Sequence, residues 1–262
     1  RMLRAVRFAA KTGFTLDAAT RAPIAKLGKL IHDVPSARLF DEILKLLMSG
    51  YSWAAIQGLK DAGLHHGLLP LLDHILDKSA ESKEANDFVR IALANTDQRI
   101  QSGKSVSAGF LFATLLWPDL LSNWKKNIGK GISNIPALHD AMDETIASQS
   151  SGMVIQRRFE SDMREIWSMQ PRFEKRVGRY PYRLIESPRF RAGYDFMLLR
   201  CATGEKNSAL GEWWTSFIES DPTGQEALMA SVKNETGNSD SPTKRRRRRK
   251  AKVSSPTESA AD

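Results

Sequence analysis

Apolar residues return every three or four positions along almost the whole chain, and no stretch alternates in steps of two. A half-buried strand needs period two, whereas a helix stacks positions i, i+3, i+4 and i+7 on one face. The spacing therefore predicts an all-α fold. Residues 1–14, RMLRAVRFAAKTGF, show the pattern. Leu3, Val6 and Ala10 fall on one helix face, and Arg4, Arg7 and Lys11 on another. Gly13 is placed to end the helix in the left-handed region, with Phe14 packing beside it. The helix starts with no loop leading into it, so chain is expected upstream of Arg1.

The same reasoning extends down the sequence. Thr15 or Asp17 is placed to cap a helix over Ala18 to Leu30. Pro35 stops that segment, and Ser36 is expected to cap residues 37–49, whose stripe is Leu39, Ile43, Leu46 and Leu47. Further helices are predicted over 52–62, 64–80 with a break at Pro70, and 81–100. An apolar stretch over 105–116 ends at Trp117-Pro118. Helices are then expected over 119–128, 136–147 and 153–169, the last with Met153, Phe159, Met163, Ile166 and Trp167 in the core. Residues 170–187 read as irregular. Ser187 and Pro188 then open a helix to Gly204, and two more follow over 207–218 and 222–233. From about Asn234 the composition is polar and basic, and disorder is predicted. The expected division is 1–62, 63–150, 151–233 and a tail over 234–262.

Charge narrows the function classes. The net charge is +9, yet without the eight cations and two acids of residues 244–262 it falls to +3. Lys244, Arg245, Arg246, Arg247, Arg248, Arg249 and Lys250 form a run that suits a polyanion, nucleic acid first, through phosphate contacts and counterion release. No apolar run nears the roughly 20 residues of a membrane span. Cys201 is the only cysteine, so no disulfide framework exists, which suits a reducing cytoplasm. It reads as a small buried residue.

Between Arg157 and Arg200 stand ten arginines and Lys175 against six acids, interleaved with Phe159, Trp167, Phe173, Tyr180, Tyr182 and Phe190. Arginine with aromatic residues suits a single-stranded RNA surface that contacts phosphates and stacks bases. Phe159 and Trp167 are expected in the core. Arg157, Arg158, Arg172, Arg176, Arg179 and Arg183 are the phosphate candidates. Arg4, Arg7 and Lys11 read equally as a solvated face or an RNA-facing strip. Arg38 and Glu42, at i and i+4, can pair on one helix face. His32-Asp33 and His139-Asp140 are two HD dyads without ligand partners at helical spacing, so no metal site is assigned. No catalytic residue is assigned either.

RMLRAVRFAAKTGF followed by DVPSARLFDEILKLLMSG resembles the bacterial poly(A) polymerases and CCA-adding enzymes, the class II nucleotidyltransferases. Arg1 matches the arginine of the family's E-D-x-x-R motif, and Arg38 and Glu42 match an Arg-x-x-x-Glu motif. SGMVIQRRFESDMREIWSMQPRFEKR resembles a segment of the poly(A) polymerase branch, with Gln156 where proline is usual. SPRFRAGYDFMLLR and GEWWTSF resemble its arginine-rich C-terminal region.

The resemblance implies an enzyme that extends RNA 3′ ends with AMP from ATP, using Mg2+ held by carboxylates of a head absent from this sequence. Arg1, Arg38 and Glu42 are then nucleotide-selecting residues. The chain itself, as neck and body with a basic tail, is expected to hold RNA and to be inactive alone. RNA 3′ ends, ATP, and RNA-degradation or RNA-chaperone proteins are the implied partners. The bacterial cytoplasm is the implied compartment. The alternatives are a CCA-adding tRNA nucleotidyltransferase and a non-enzymatic helical RNA-binding protein.

Overall fold

Helical spacing becomes helix throughout the computed structural model, which describes residues 1–65, 83–150 and 154–237. Among them there is no strand. The α-helices are α1 (Met2–Thr12), α2 (Ala18–Leu27), α3 (Ser36–Leu47), α4 (Ser52–Asp61), α5 (Lys83–Gln101), α6 (Ala108–Leu115) and α7 (Trp117–Gly129). They continue as α8 (Asn134–Ser150), α9 (Arg157–Met169), α10 (Tyr180–Ile185), α11 (Phe190–Ala202), α12 (Ser208–Glu219) and α13 (Pro222–Gly237). Short 3-10 turns cover Gly28–Asp33 and Gln170–Arg172.

The stripe of α3 illustrates why these helices hold. Leu39, Phe40, Ile43, Leu46 and Leu47 are buried. At about 2 kcal/mol for each such side chain, their burial contributes roughly 10 kcal/mol of gross transfer free energy. One hydrophobic core runs from Leu3 and Val6 on α1 to Met163, Ile166 and Trp167 on α9. A second gathers Met169, Phe173, Leu184, Phe190, Trp213, Trp214 and Phe217. Helix α11 serves both. Phe196 and Leu199 lie in the first core, Tyr194 and Met197 in the second. A helix apolar on opposite faces is one buried between layers.

Indole N–H groups pin the layers together. Trp167 Nε1 donates to the Ala113 carbonyl at 3.1 Å, and Trp214 Nε1 to the Phe173 carbonyl at 2.9 Å. α6 and α9 approach closely at Gly109, where an added Cβ would stand 2.5 Å from Asp162 Cβ.

Several local expectations are corrected. Gly13 is left-handed as expected, at φ 71°. Phe14 is 76% exposed instead of packing beside the glycine, and its N–H donates to Thr12 Oγ1 at 3.4 Å. α2 stops at Leu27 and tightens into the 3-10 turn; Asp17, not Thr15, caps it by accepting from Thr20 N–H at 2.7 Å. Ser36 is the first residue of α3 and no cap, because its hydroxyl accepts from Val154 N–H at 3.3 Å. The stretch 170–187 contains α10, since Pro181 sits where a helix start leaves its missing N–H without consequence. α11 opens at Phe190 behind Arg189, while Ser187 Oγ donates to the Arg183 carbonyl at 3.4 Å. Cys201 is half-buried, and burial pushes its thiol above the usual range. α13 runs to Gly237, past the expected boundary at Asn234. Of the helix expected over 64–80, Leu64 and His65 are not helical, and its remainder, Met153 and the basic run of the tail lie outside the described residues.

Candidate nucleic-acid interface

The spacing of Arg38 and Glu42 allows them to pair, but α1 packs against α3 and brings a better partner. Arg4 Nε donates to both Glu42 oxygens at 3.2 Å, and Arg4 Nη2 donates to Oε1 at 3.0 Å. Lys45 Nζ adds a contact of 3.5 Å. This fork-like contact spans 38 residues of sequence. A guanidinium facing a carboxylate edge-on makes two parallel bonds. Hydrogen bonding from Arg4 holds the Glu42 carboxyl below the usual range, with burial opposing and the charges of Arg4 and Lys45 assisting. Glu42, in turn, raises the guanidinium of Arg4.

The pairing of Glu42 with Arg38 is therefore corrected. Arg38 is exposed and, among the described residues, makes no ion pair. Arg1 is exposed directly before α1, its carbonyl accepting from Ala5 N–H at 3.1 Å. Arg1 stands one turn before Arg4 on α1, and Arg38 one turn before Glu42 on α3. Each guanidinium thus shares a face with one half of the clasp. Arg7 lies over the exposed ring of Phe8, 5.3 Å from its centroid, and Lys11 is exposed.

The arginine-rich stretch divides by partner. Arg164 is held by Asp143 at 2.7 Å and Glu160 at 3.0 Å. Arg189 is held by Asp162 at 2.6 Å, and Arg191 by Asp195 at 3.1 Å. Arg200 is 2% exposed; its Nη2 lies 2.6 Å from Glu205 Oε1, and its Nη1 donates to Gln170 Oε1 at 3.1 Å. Arg157, Arg158, Arg172, Arg176, Arg179 and Arg183 make no ion pair with any described residue. Two of the six spend their charge against rings. Arg158 lies 4.5 Å from the Phe159 centroid, and Arg176 lies 5.7 Å from that of Trp213. Arg157, Arg158, Arg172, Arg179 and Arg183 are exposed. An unpaired guanidinium in water is free to meet a phosphate without first losing a carboxylate.

Most of the interleaved aromatics do not form a stacking surface. Trp167, Phe173 and Phe190 are buried, Tyr182 packs on Phe217 at 5.5 Å, and Phe159 stacks on Phe40 at 5.8 Å. The cores took them because each ring removes a large apolar area from water. Tyr180 stays outside, 56% exposed.

One arrangement escaped sequence reasoning. Glu205 accepts from Arg200 and also from Trp117 Nε1 at 2.7 Å, while Gln170 Nε2 donates to the carbonyls of Ile166 and Gly193. The signal was an arginine inside the apolar run FMLLRCA, which demands a buried partner. Of the dyad histidines, His139 is exposed and the side chain of His32 lies outside the described residues. Among the described residues, no three His, Cys, Asp or Glu side chains converge as metal ligands. No described helix is long and apolar enough to cross a membrane.

Two family models match the chain. That of the polymerase A arginine-rich C-terminus matches residues 130–252, and that of a probable RNA and SrmB-binding site of polymerase A matches residues 13–76. The chain is 36% identical over 252 residues to poly(A) polymerase I of Escherichia coli O157:H7, covering 95% of this chain and 53% of that protein. It is 35% identical over 260 residues to poly(A) polymerase I of Salmonella typhi, covering 98% and 54%. With poly(A) polymerase I of Haemophilus influenzae it shares 34% over 232 residues, covering 87% and 51%. The chain spans about half the length of the curated relatives it matches.

Proposed function

The chain belongs to the bacterial poly(A) polymerase family, and on that premise we propose that it holds RNA for an enzyme extending RNA 3′ ends with AMP from ATP. The five exposed arginines without a described carboxylate partner, Arg157, Arg158, Arg172, Arg179 and Arg183, carry this reading. A chain that needed them only for folding would have neutralised them, as it did Arg164 and Arg200. Single-stranded RNA suits an exposed set of cations on short helices and turns, because flexible phosphates can follow an irregular track.

The clasp of α1 and α3 supports a second role, nucleotide selection. Arg4 and Lys45 hold Glu42, while Arg1 and Arg38 keep guanidiniums available for a triphosphate or a base edge. Arg7 and Lys11 extend the same cationic surface. ATP thus fits cations present here. Mg2+ does not: among the described residues no carboxylate cluster suits it, so no step is assigned to metal on this chain. The division of the chain into a neck over 1–62, a body over 63–150, an RNA-binding region over 151–233 and a tail belongs to this reading. Lys244 to Lys250 act as a nonspecific RNA arm. The family description naming SrmB supports a protein partner around residues 13–76. The reading implies the bacterial cytoplasm.

The test separates holding from chemistry. The purified chain is expected to bind single-stranded oligoadenylate in a filter or anisotropy assay, and to incorporate no AMP when given ATP and Mg2+. Failure to bind RNA overturns the holding role. AMP incorporation by this chain overturns the assignment of chemistry elsewhere.

A further inference from the structure

Tyr180 is the single exposed aromatic among the described residues between Arg157 and Arg200. Its position follows from α10. Pro181 and Leu184 are buried, and Tyr182 packs on Phe217, so the helix turns one side into the second core. Arg179, Tyr180 and Arg183 remain outside. Tyr180 and Arg183, three residues apart, are neighbours on the helix surface.

The turn before α10 completes the arrangement. Gly178 has φ 66°, a left-handed conformation that strains a residue with a Cβ. Through this turn the chain folds back and sets Lys175 Nζ 5.1 Å from the Tyr180 centroid. Among the described residues Lys175, Arg179 and Arg183 have no carboxylate partner, and the adjacent acid, Glu174, is taken by Lys206 at 2.6 Å. The result is an exposed aromatic ring with the Lys175 ammonium over it and two further exposed cations, Arg179 and Arg183, one and three residues away in the chain. A buried ring would serve the core; this one stays 56% exposed, with the Lys175 ammonium over one face.

We propose that Tyr180 is a base-stacking platform for single-stranded RNA, with Lys175, Arg179 and Arg183 contacting the flanking phosphates. The inference rests on the RNA-holding role. A base offers its π-face only when unpaired, so duplex RNA cannot use the ring. The cation over the ring adds attraction for the strand that passes it.

The experiment pairs the protein with two probes of equal length, single-stranded oligoadenylate and an oligomer carrying abasic sites throughout. Tyr180→Ala is expected to weaken oligoadenylate binding about five-fold or more and leave abasic binding unchanged. Tyr180→Phe is expected to bind like the parent, because the ring and not the hydroxyl stacks. Arg179→Gln with Arg183→Gln is expected to weaken both probes. Equal loss on both probes with Tyr180→Ala, or no loss on either, overturns the platform while leaving the RNA-holding role in place. Parent protein that binds neither probe overturns both. Far-UV circular dichroism of each variant verifies that helix content is retained.

Discussion

Neutralising Arg172, Arg179 and Arg183 together should change how RNA binding responds to salt more than it changes the fold. All three are exposed and lack a described carboxylate partner, so each can meet a phosphate directly. For single strands, the slope of log K against log salt is about −0.7 per phosphate neutralised. Three lost contacts therefore flatten the slope by about 2. Between roughly 50 and 200 mM salt, a four-fold change, that removes about 16-fold of the salt-induced loss in affinity. The assay is anisotropy of a labelled oligoadenylate titrated with Arg172→Gln/Arg179→Gln/Arg183→Gln at several salt concentrations. Arg164→Gln is the control. Its guanidinium is already engaged by Asp143 and Glu160, so its slope should match the parent. The basic run at Lys244 to Lys250 is present in both proteins and cancels from the difference. A triple variant with the parent slope, or a control that flattens it equally, would refute the division of arginines by partner.

Three further outcomes follow from the packing. Arg200→Met leaves the Glu205 carboxylate and Gln170 Oε1 without their guanidinium, and should cost about 3–5 kcal/mol in urea unfolding. Adding Glu205→Gln removes the stranded charge while still accepting from Trp117 and should recover part of the loss; a single-variant cost under about 1 kcal/mol would discount the network. Gly109→Ala drives a Cβ toward Asp162 Cβ and should cost about 1–3 kcal/mol, lowering Tm by several degrees; an unchanged Tm would mean that α6 and α9 can part freely. Glu42 is held below its ordinary pKa, so its stabilisation is complete above the usual carboxylate range and is lost as pH falls through the lower folded value. Glu42→Gln should therefore flatten the acid limb of a stability–pH curve, and parallel curves would show that Arg4 gives Glu42 nothing.

Helix existence was written in the order of residues because it depends on neighbours three and four positions away. Leu39, Ile43, Leu46 and Leu47 are buried in α3 as their spacing required, and Gly13, Gly50, Gly63 and Gly204 all have positive φ where helices end. Helix ends were less legible. Ser36 and Ser187 have the chemistry of caps, yet their hydroxyls bond Val154 and Arg183 instead. A cap competes with every other donor and acceptor nearby, and those arrive only on folding.

The sequence by itself determined that this chain would be helical, where its charge gathered, and that arginine would outnumber lysine beside aromatic rings. Tertiary structure decided which of those groups are free. Arg38 and Glu42 were neighbours by spacing, but Arg4 reached Glu42 across 38 residues because α1 lies on α3. Ten arginines look alike in the sequence; Arg191 pairs within its own helix, Arg164, Arg189 and Arg200 pair with acids that folding brings to them, and six have no described carboxylate partner. Six rings look alike as well, and the cores left Tyr180 in water. Periodicity acts within a turn or two of helix, whereas burial and ion pairing depend on which helices meet, and that is fixed only when the whole chain has packed.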